Sequence, residues 1–255
     1  MSPFIAEIIG TGILILLGNG VVANVLLNKT KGHNGGWIVI TWGWGIGVFA
    51  GVFTVSQFSG AHINPAVTLG LAAAGHFQWS MVMPYIAAQI LGGAIGSFLV
   101  WVSYKDHFAE TDNSDAILAC HCTAPNIRNY TSNMLTEIVG TFVLVFGVLF
   151  IVVPGFITAD GQFLETIVIN GQEVGLGFGA LAALPVALLV LGIGLSLGGP
   201  TGYAINPARD LGPRIMHALL PIRAKGSSDW AYSWVPIVGP AIGAFLAAGL
   251  YLLLS

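Results

Sequence analysis

The sequence predicts an all-α membrane protein of six transmembrane helices plus two re-entrant half-helices, arranged as two inverted repeats. Three observations carry that prediction. Of 255 residues, 55% are hydrophobic and 7% charged, where a soluble domain has roughly 25% charged, and the mean hydropathy is +0.84. Six long apolar stretches are set apart by less apolar segments. Three sequence echoes recur in the same order in the two halves of the chain.

The six stretches lie near residues 3–27, 37–58, 80–104, 132–153, 177–199 and 230–254. Each is long enough for a helix to cross a hydrocarbon core of about 30 Å. The first begins close to Met1 without a basic region before it or a small-residue cleavage site after it, so it is expected to stay as a helix. Trp37, Trp101, Tyr104, Trp230, Tyr232 and Trp234 mark span ends, where amphipathic rings rest at the headgroup level.

The repeat is read from its echoes. Ala6–Thr11 (AEIIGT) returns as Thr136–Thr141 (TEIVGT), and Ala94–Leu99 (AIGSFL) as Ala241–Leu246 (AIGAFL). Between them, Ile63–Gly70 (INPAVTLG) returns as Ile205–Gly212 (INPARDLG), with six of eight positions identical. The chain is thus one domain: a first repeat over 1–104, an extramembrane connector over 105–131, and a second repeat over 132–255. Three spans per repeat is an odd number, so the second copy enters the membrane from the opposite face.

Each Asn-Pro-Ala triplet opens a moderately apolar run of only about 11 residues, Asn64 to Ala74 and Asn206 to Met216. At 1.5 Å per residue that is about 16 Å, half a bilayer, which makes each run a re-entrant half-helix. Asn64 and Asn206 suit the N-cap, and Pro65 and Pro207 the first helical position, where no amide proton is needed. Ala66 and Ala208 complete the triplets. Two such starts meeting near the midplane bring positive dipole ends and Asn amide donors to one place, which opposes cations and welcomes neutral molecules with oxygen lone pairs. Glu7 and Glu137, at equivalent points of the two copies, are expected to accept hydrogen bonds from the irregular backbone leading into each half-helix. His62 is expected to be a hydrogen-bonded lining or packing residue.

Other features point to no chemistry. The net charge of −3 is spread over loops, with no basic block for nucleic acid. Cys120, His121 and Cys122 are too closely spaced for a zinc knuckle and lack a second cluster, so neither metal nor cofactor is expected. Asn28-Lys29-Thr30 and Asn129-Tyr130-Thr131 match the glycosylation triplet, a pattern common by chance. Glycines four apart (Gly43, Gly47, Gly51; Gly92, Gly96; Gly239, Gly243) read as close helix crossings. No nucleophile, base and metal set stands at membrane depth, which argues against an enzyme.

The segments SGAHINPAVT (Ser59–Thr68) and GYAINPARD (Gly202–Asp210) resemble the two signatures of the aquaporin superfamily, and the resemblance extends over nearly the whole chain. Asp210, Arg214 and the pair Pro236-Ile237 resemble its glycerol-facilitator branch, the aquaglyceroporins. The resemblance implies the aquaporin fold, cytoplasmic termini, a cell-membrane location, a homotetramer with one pore per subunit, and no cofactor. It implies passive flux of glycerol and water, with dihydroxyacetone, urea or undissociated small acids as further solutes. It places Trp44, Gly194, Tyr203 and Arg209 at the constriction: Arg209 as donor fork and fixed charge, Trp44 and Tyr203 as an apolar wedge, and Gly194 as room for a three-carbon solute. Facilitators more often carry Phe where Tyr203 stands. Asp210 is expected to support the pore, with an ion pair to Arg209 as the alternative.

All eight Lys and Arg residues fall on the side opposite the termini, which the positive-inside rule would make cytoplasmic; the expectation here follows the resemblance. The rival functional reading is a secondary active transporter, since inverted repeats and broken helices serve that class too. The chain shows no acidic or histidine pair beside the half-helices for a coupling ion. A junction-forming structural protein is the remaining alternative.

Overall fold

In a computed structural model, the chain is described over residues 1–151 and 155–255. Val152 and Val153, the last residues of the expected fourth span, lie outside the described residues. Six helical segments among the described residues are long and apolar enough to cross a membrane. They begin with α1 (Pro3–Leu26), α2 (Trp37–Ser59) and, after the half-helix α3 (Pro65–Ala73), α4 (Trp79–Ser103). Two short helices, α5 (Lys105–Ala109) and α6 (Ser114–Ala119), shape the connector. The second repeat follows with α7 (Tyr130–Leu149), α8 (Leu184–Leu197), the half-helix α9 (Pro207–Leu219) and α10 (Val235–Leu254).

Local chemistry sets these boundaries. Ser2 caps α1 by accepting from the Ile5 amide, with Pro3 behind it, and Asn129 caps α7 by accepting from the Ser132 amide. Asn129, the first residue of one glycosylation triplet, therefore has a structural use. α2 ends at Gly60, whose φ of 78° is a left-handed stop that costs glycine no side-chain clash.

The fifth span differs at its start. Residues Gly179–Ala183 form a 3-10 turn and the α-helix begins at Leu184, because Gly177, Gly179 and Pro185 deny the first turn a regular α-helical ladder. Ahead of it lies structure the periodicity did not announce. The hairpins β1 (Phe156–Ile157) with β2 (Phe163–Leu164) and β3 (Thr166–Ile169) with β4 (Gln172–Gly175) fill the link from α7 to α8. Asn170 and Gly171 turn the second hairpin, both with positive φ, 53° and 78°, the geometry that Asn-Gly supplies in a tight hairpin.

Glycine brings the helices together. A β-carbon at Gly96 would sit 2.5 Å from the Gly12 carbonyl of α1, and one at Gly243 would sit 2.4 Å from the Ile138 carbonyl of α7. The two crossings are equivalent, α1 on α4 and α7 on α10, and lipid offers no hydrophobic drive that could substitute for such close packing. The half-helices, by contrast, pack across the repeat boundary: α3 lies chiefly against α10, and α9 chiefly against α4. A β-carbon at Gly93 of α4 would be 2.7 Å from the Ala208 carbonyl, and one at Gly212 of α9 would be 2.6 Å from the Ile90 carbonyl.

Candidate functional site

The two half-helix starts meet. Asn64 caps α3 by accepting from the Ala66 amide at 2.8 Å, and Asn206 caps α9 by accepting from the Ala208 amide at 3.0 Å and the Arg209 amide at 3.2 Å. Pro65 and Pro207 occupy the first helical positions. Each Asn side chain then reaches into the opposite repeat: Asn64 Nδ2 donates to the Ile205 carbonyl at 2.8 Å, and Asn206 Nδ2 donates to the Ile63 carbonyl at 2.9 Å. An Asn amide carries two hydrogens, so this tie consumes one from each and leaves one. Capping chemistry alone predicts amide donors near the midplane and does not reveal this cross-tie.

The backbone ahead of each cap is strained. Ala61 and Ile63 have φ of 53° and 43°, and Tyr203 and Ile205 have φ of 37° and 42°. Left-handed geometry costs a non-glycine residue about 1–3 kcal/mol, most for a β-branched one. Two buried carboxylates hold the bends. Glu7 accepts from the amides of His62 (3.0 Å) and Ile63 (2.7 Å), from Ser59 Oγ (2.6 Å) and from Gln89 Nε2 (2.7 Å). Glu137 accepts from the amides of Ala204 (3.0 Å) and Ile205 (2.8 Å) and from Thr201 Oγ1 (2.7 Å). The strained turns face the carboxylates with their N–H groups and a central cavity with their other side.

That cavity measures about 240 Å³ and is lined by Asn64 and Asn206, by both strained turns, and by apolar side chains such as Val48, Val67, Leu144 and Val190. His62 lines it too, with Nδ1 at 3.1 Å from Thr68 Oγ1 and its ring packed against those of Phe77 and Tyr85, which also touch each other.

Trp44, Tyr203 and Arg209 also line the cavity. The Arg209 guanidinium lies over the Trp44 ring, 4.2 Å from its centroid, and its Nη1 is buried with no hydrogen-bond partner. Gly194 departs from expectation. A β-carbon there would lie 2.7 Å from Tyr203 Cζ and 2.9 Å from the Tyr203 hydroxyl. The space that glycine vacates is taken by the tyrosine ring, which also rests on Gly198 and meets the Trp37 ring edge-on at 5.7 Å. Trp37 Nε1 donates to the Gly194 carbonyl at 3.0 Å and fixes the slot. The Tyr203 hydroxyl is buried without a partner.

Asp210 does not pair with Arg209. Its carboxylate accepts from Arg214 Nε (2.8 Å) and Nη2 (2.9 Å), and from the Thr123 amide (2.8 Å) and hydroxyl (2.7 Å). Arg214 spends its other hydrogens on the carbonyls of Thr123, Ser228 and Asp229. This fully buried pair ties the connector and the segment between α9 and α10 to α9, and Arg209 makes no ion pair among the described residues. The i,i+4 spacing of Asp210 and Arg214 is the signal that could have found the pair; Thr123 had none. Among the described residues no three His, Cys, Asp or Glu side chains are grouped to hold a metal.

Two inverted bundles, each donating a capped half-helix to one cavity between them, define an integral multi-pass membrane channel. The chain belongs to the major intrinsic protein family, which it matches over residues 1–251. It is 56% identical to a probable glycerol uptake facilitator protein of Thermotoga maritima over 251 residues, 98% of each chain. It is 53% identical to glycerol uptake facilitator protein 3 of Lactiplantibacillus plantarum, covering 97% of this chain and 94% of that one. Among solved structures, the aquaglyceroporin of Plasmodium falciparum is similar, with a TM-score of 0.78 and 31% identity, covering 97% of this chain and 93% of that chain.

Proposed function

We propose that this chain is a passive channel in the cell membrane for glycerol, water and other small neutral solutes, with ions and protons excluded. The carrying observation is the reciprocal tie of Asn64 and Asn206, which fixes two positive helix ends and two remaining amide hydrogens in one cavity. A cation entering there meets unfavourable potential from both half-helices and from unpaired Arg209. A polyol meets donors on one side and the apolar side chains on the other, which suits a carbon chain with hydroxyls along one edge.

Arg209, Trp44 and Tyr203 form the selectivity filter in this reading, and Gly194 acts by seating the Tyr203 ring. Glu7, Glu137, His62 and Asp210 support the pore from behind. The carboxylates of Glu7 and Glu137 are occupied by hydrogen bonds, which favours a channel over a transporter needing an open acid for a coupling ion. In this reading the assembly is a homotetramer, and dihydroxyacetone, urea and undissociated small acids are candidate solutes. Proteoliposomes under water and glycerol gradients, followed by stopped-flow light scattering, test the reading: both fluxes rise over empty vesicles, and a proton or sodium gradient drives no accumulation. Uphill glycerol accumulation would overturn it in favour of the transporter.

A further inference from the structure

A second enclosed polar cluster lies outside the pore, where α1, α4, α9 and the connector meet. His121 of the connector and His217 in the last turn of α9 are both fully buried. Their rings stand 5.3 Å apart at 66°, and neither lines the central cavity. Each ring spends Nδ1 on a serine hydroxyl: His121 on Ser97 Oγ at 2.7 Å, His217 on Ser228 Oγ at 2.8 Å. Asn19 of α1 donates to the His121 carbonyl at 2.9 Å, and the Phe108 ring lies 5.5 Å from the His121 ring. Both Nε2 atoms are left buried with no partner.

A neutral imidazole offers one N–H and one lone pair. With Nδ1 engaged, each Nε2 is a bare donor or a bare acceptor, and burying either without a partner is costly. Two escapes are closed. Protonating a ring is opposed by the charges packed around it: Lys225, whose Nζ donates to the carbonyls of Ala218 and Leu220, and Arg214, whose carboxylate partner Asp210 is already saturated. Burial, reinforced by His217 and Lys225, pushes His121 down to about 3. Binding a metal cation is opposed by the same positive charges, and burial holds the neighbouring Cys120 and Cys122 thiols protonated. What satisfies two unpartnered nitrogens on rings 5.3 Å apart in such a place is a small neutral molecule able to donate and accept, and a buried water typically makes about three such bonds.

We propose that a single buried water molecule bridges His121 Nε2 and His217 Nε2 and thereby pins the connector to the half-helix α9. His121 stands two residues before Thr123, which binds Asp210 beside Arg209. The bridge thus holds the connector side of the filter wall without touching solute.

A double-mutant cycle on the intact protein tests this. In His121→Phe or His217→Phe the remaining imidazole keeps a bare nitrogen, and the midpoint of thermal unfolding falls by roughly 5 °C. In the double variant neither nitrogen remains and the water is not required, so the midpoint recovers most of the summed loss; loss of each serine contact is common to single and double variants and cancels from the coupling. Amide exchange of residues 114–123 follows the same order, faster in each single variant than in the double. Additive losses would overturn the bridge. The wild-type protein gives a reading independent of any variant: density for one water within about 3.2 Å of both nitrogens supports it, and an empty gap overturns it. Zinc ions that raise the midpoint of the wild type but not of His121→Phe would replace water with a cation and overturn it as well.

Discussion

Asn64 and Asn206 are each hydrogen-bonded to the residue that precedes the other, Asn64 Nδ2 to the Ile205 carbonyl and Asn206 Nδ2 to the Ile63 carbonyl. Each side chain therefore does two jobs, capping its own helix through Oδ1 and fastening the opposite one through Nδ2. Asn206→Ala removes both. The cap alone is worth about 1 kcal/mol, and the Ile63 carbonyl loses its donor. The expected outcome is a fall in thermal midpoint together with a fall in glycerol and water flux of at least several-fold. Unchanged flux with an intact fold would mean that the tie does not shape the passage.

Gly194→Ala should narrow the lumen through its neighbour. The new methyl would lie 2.7 Å from Tyr203 Cζ, closer than a β-carbon comes to a neighbouring carbon, and with Gly198 and Trp37 against the ring the cavity it lines is open for it to move toward. Glycerol flux should drop by more than water flux. Gly194→Ala/Tyr203→Ala should regain glycerol flux relative to Gly194→Ala alone, as measured in the same vesicles.

Arg209→Val removes a buried, unpaired cation and the donor fork over Trp44. Glycerol-to-water selectivity should fall and proton leak, read with a pH-sensitive dye inside the vesicles, should rise. Trp44→Ala should loosen solute-size discrimination while leaving proton leak low, since the charge remains.

The Asp210–Arg214 pair is fully buried. Arg214→Met would leave the carboxylate with Thr123 as its remaining partner, and breaking a buried pair from one side costs about 3–5 kcal/mol. The variant is expected to accumulate poorly or to melt many degrees lower. Asp210→Leu combined with Arg214→Met should recover much of that loss, because no uncompensated charge remains; a double variant as unstable as the single would show that the pair is not the source.

Acid should loosen the connector. His121 is held down to about 3 in the folded chain against an ordinary value of 6.5. Its folded-state value is depressed, so the unfolded chain takes up the proton first: the contribution is complete above about pH 6.5 and declines as pH falls toward 3. The thermal midpoint should fall over that window, and more steeply in the wild type than in His121→Phe. Equal slopes would show that other groups carry the acid sensitivity.

What could be read from the sequence was what repeats or caps. Asn64 and Asn206 announce helix starts because an Asn-Pro pair fits few other places, and Glu7 and Glu137 stand out because a carboxylate at membrane depth needs donors. The Asn170-Gly171 turn was also visible, between Thr-Ile-Val-Ile and Gln-Glu-Val, but strands of four residues are easily passed over beside long apolar runs. Other relationships depend on distance in the fold. Nothing in the spacing of Gly194 and Tyr203 shows that the ring lies in the slot the glycine leaves, nor that Thr123 binds Asp210 across 87 positions. Local pattern determines which element forms, whereas these contacts exist only once separate elements have packed.

The exchange of half-helices between repeats bears on how the chain is made. As the ribosome delivers the first three spans, α3 has no α10 to rest against and its capped end has no Ile205 carbonyl to grip. Half a pore must wait, unsealed, until α10 arrives. Seating of α3 is therefore completed only by α10, and a truncation before α10 strands the first repeat as well as the second.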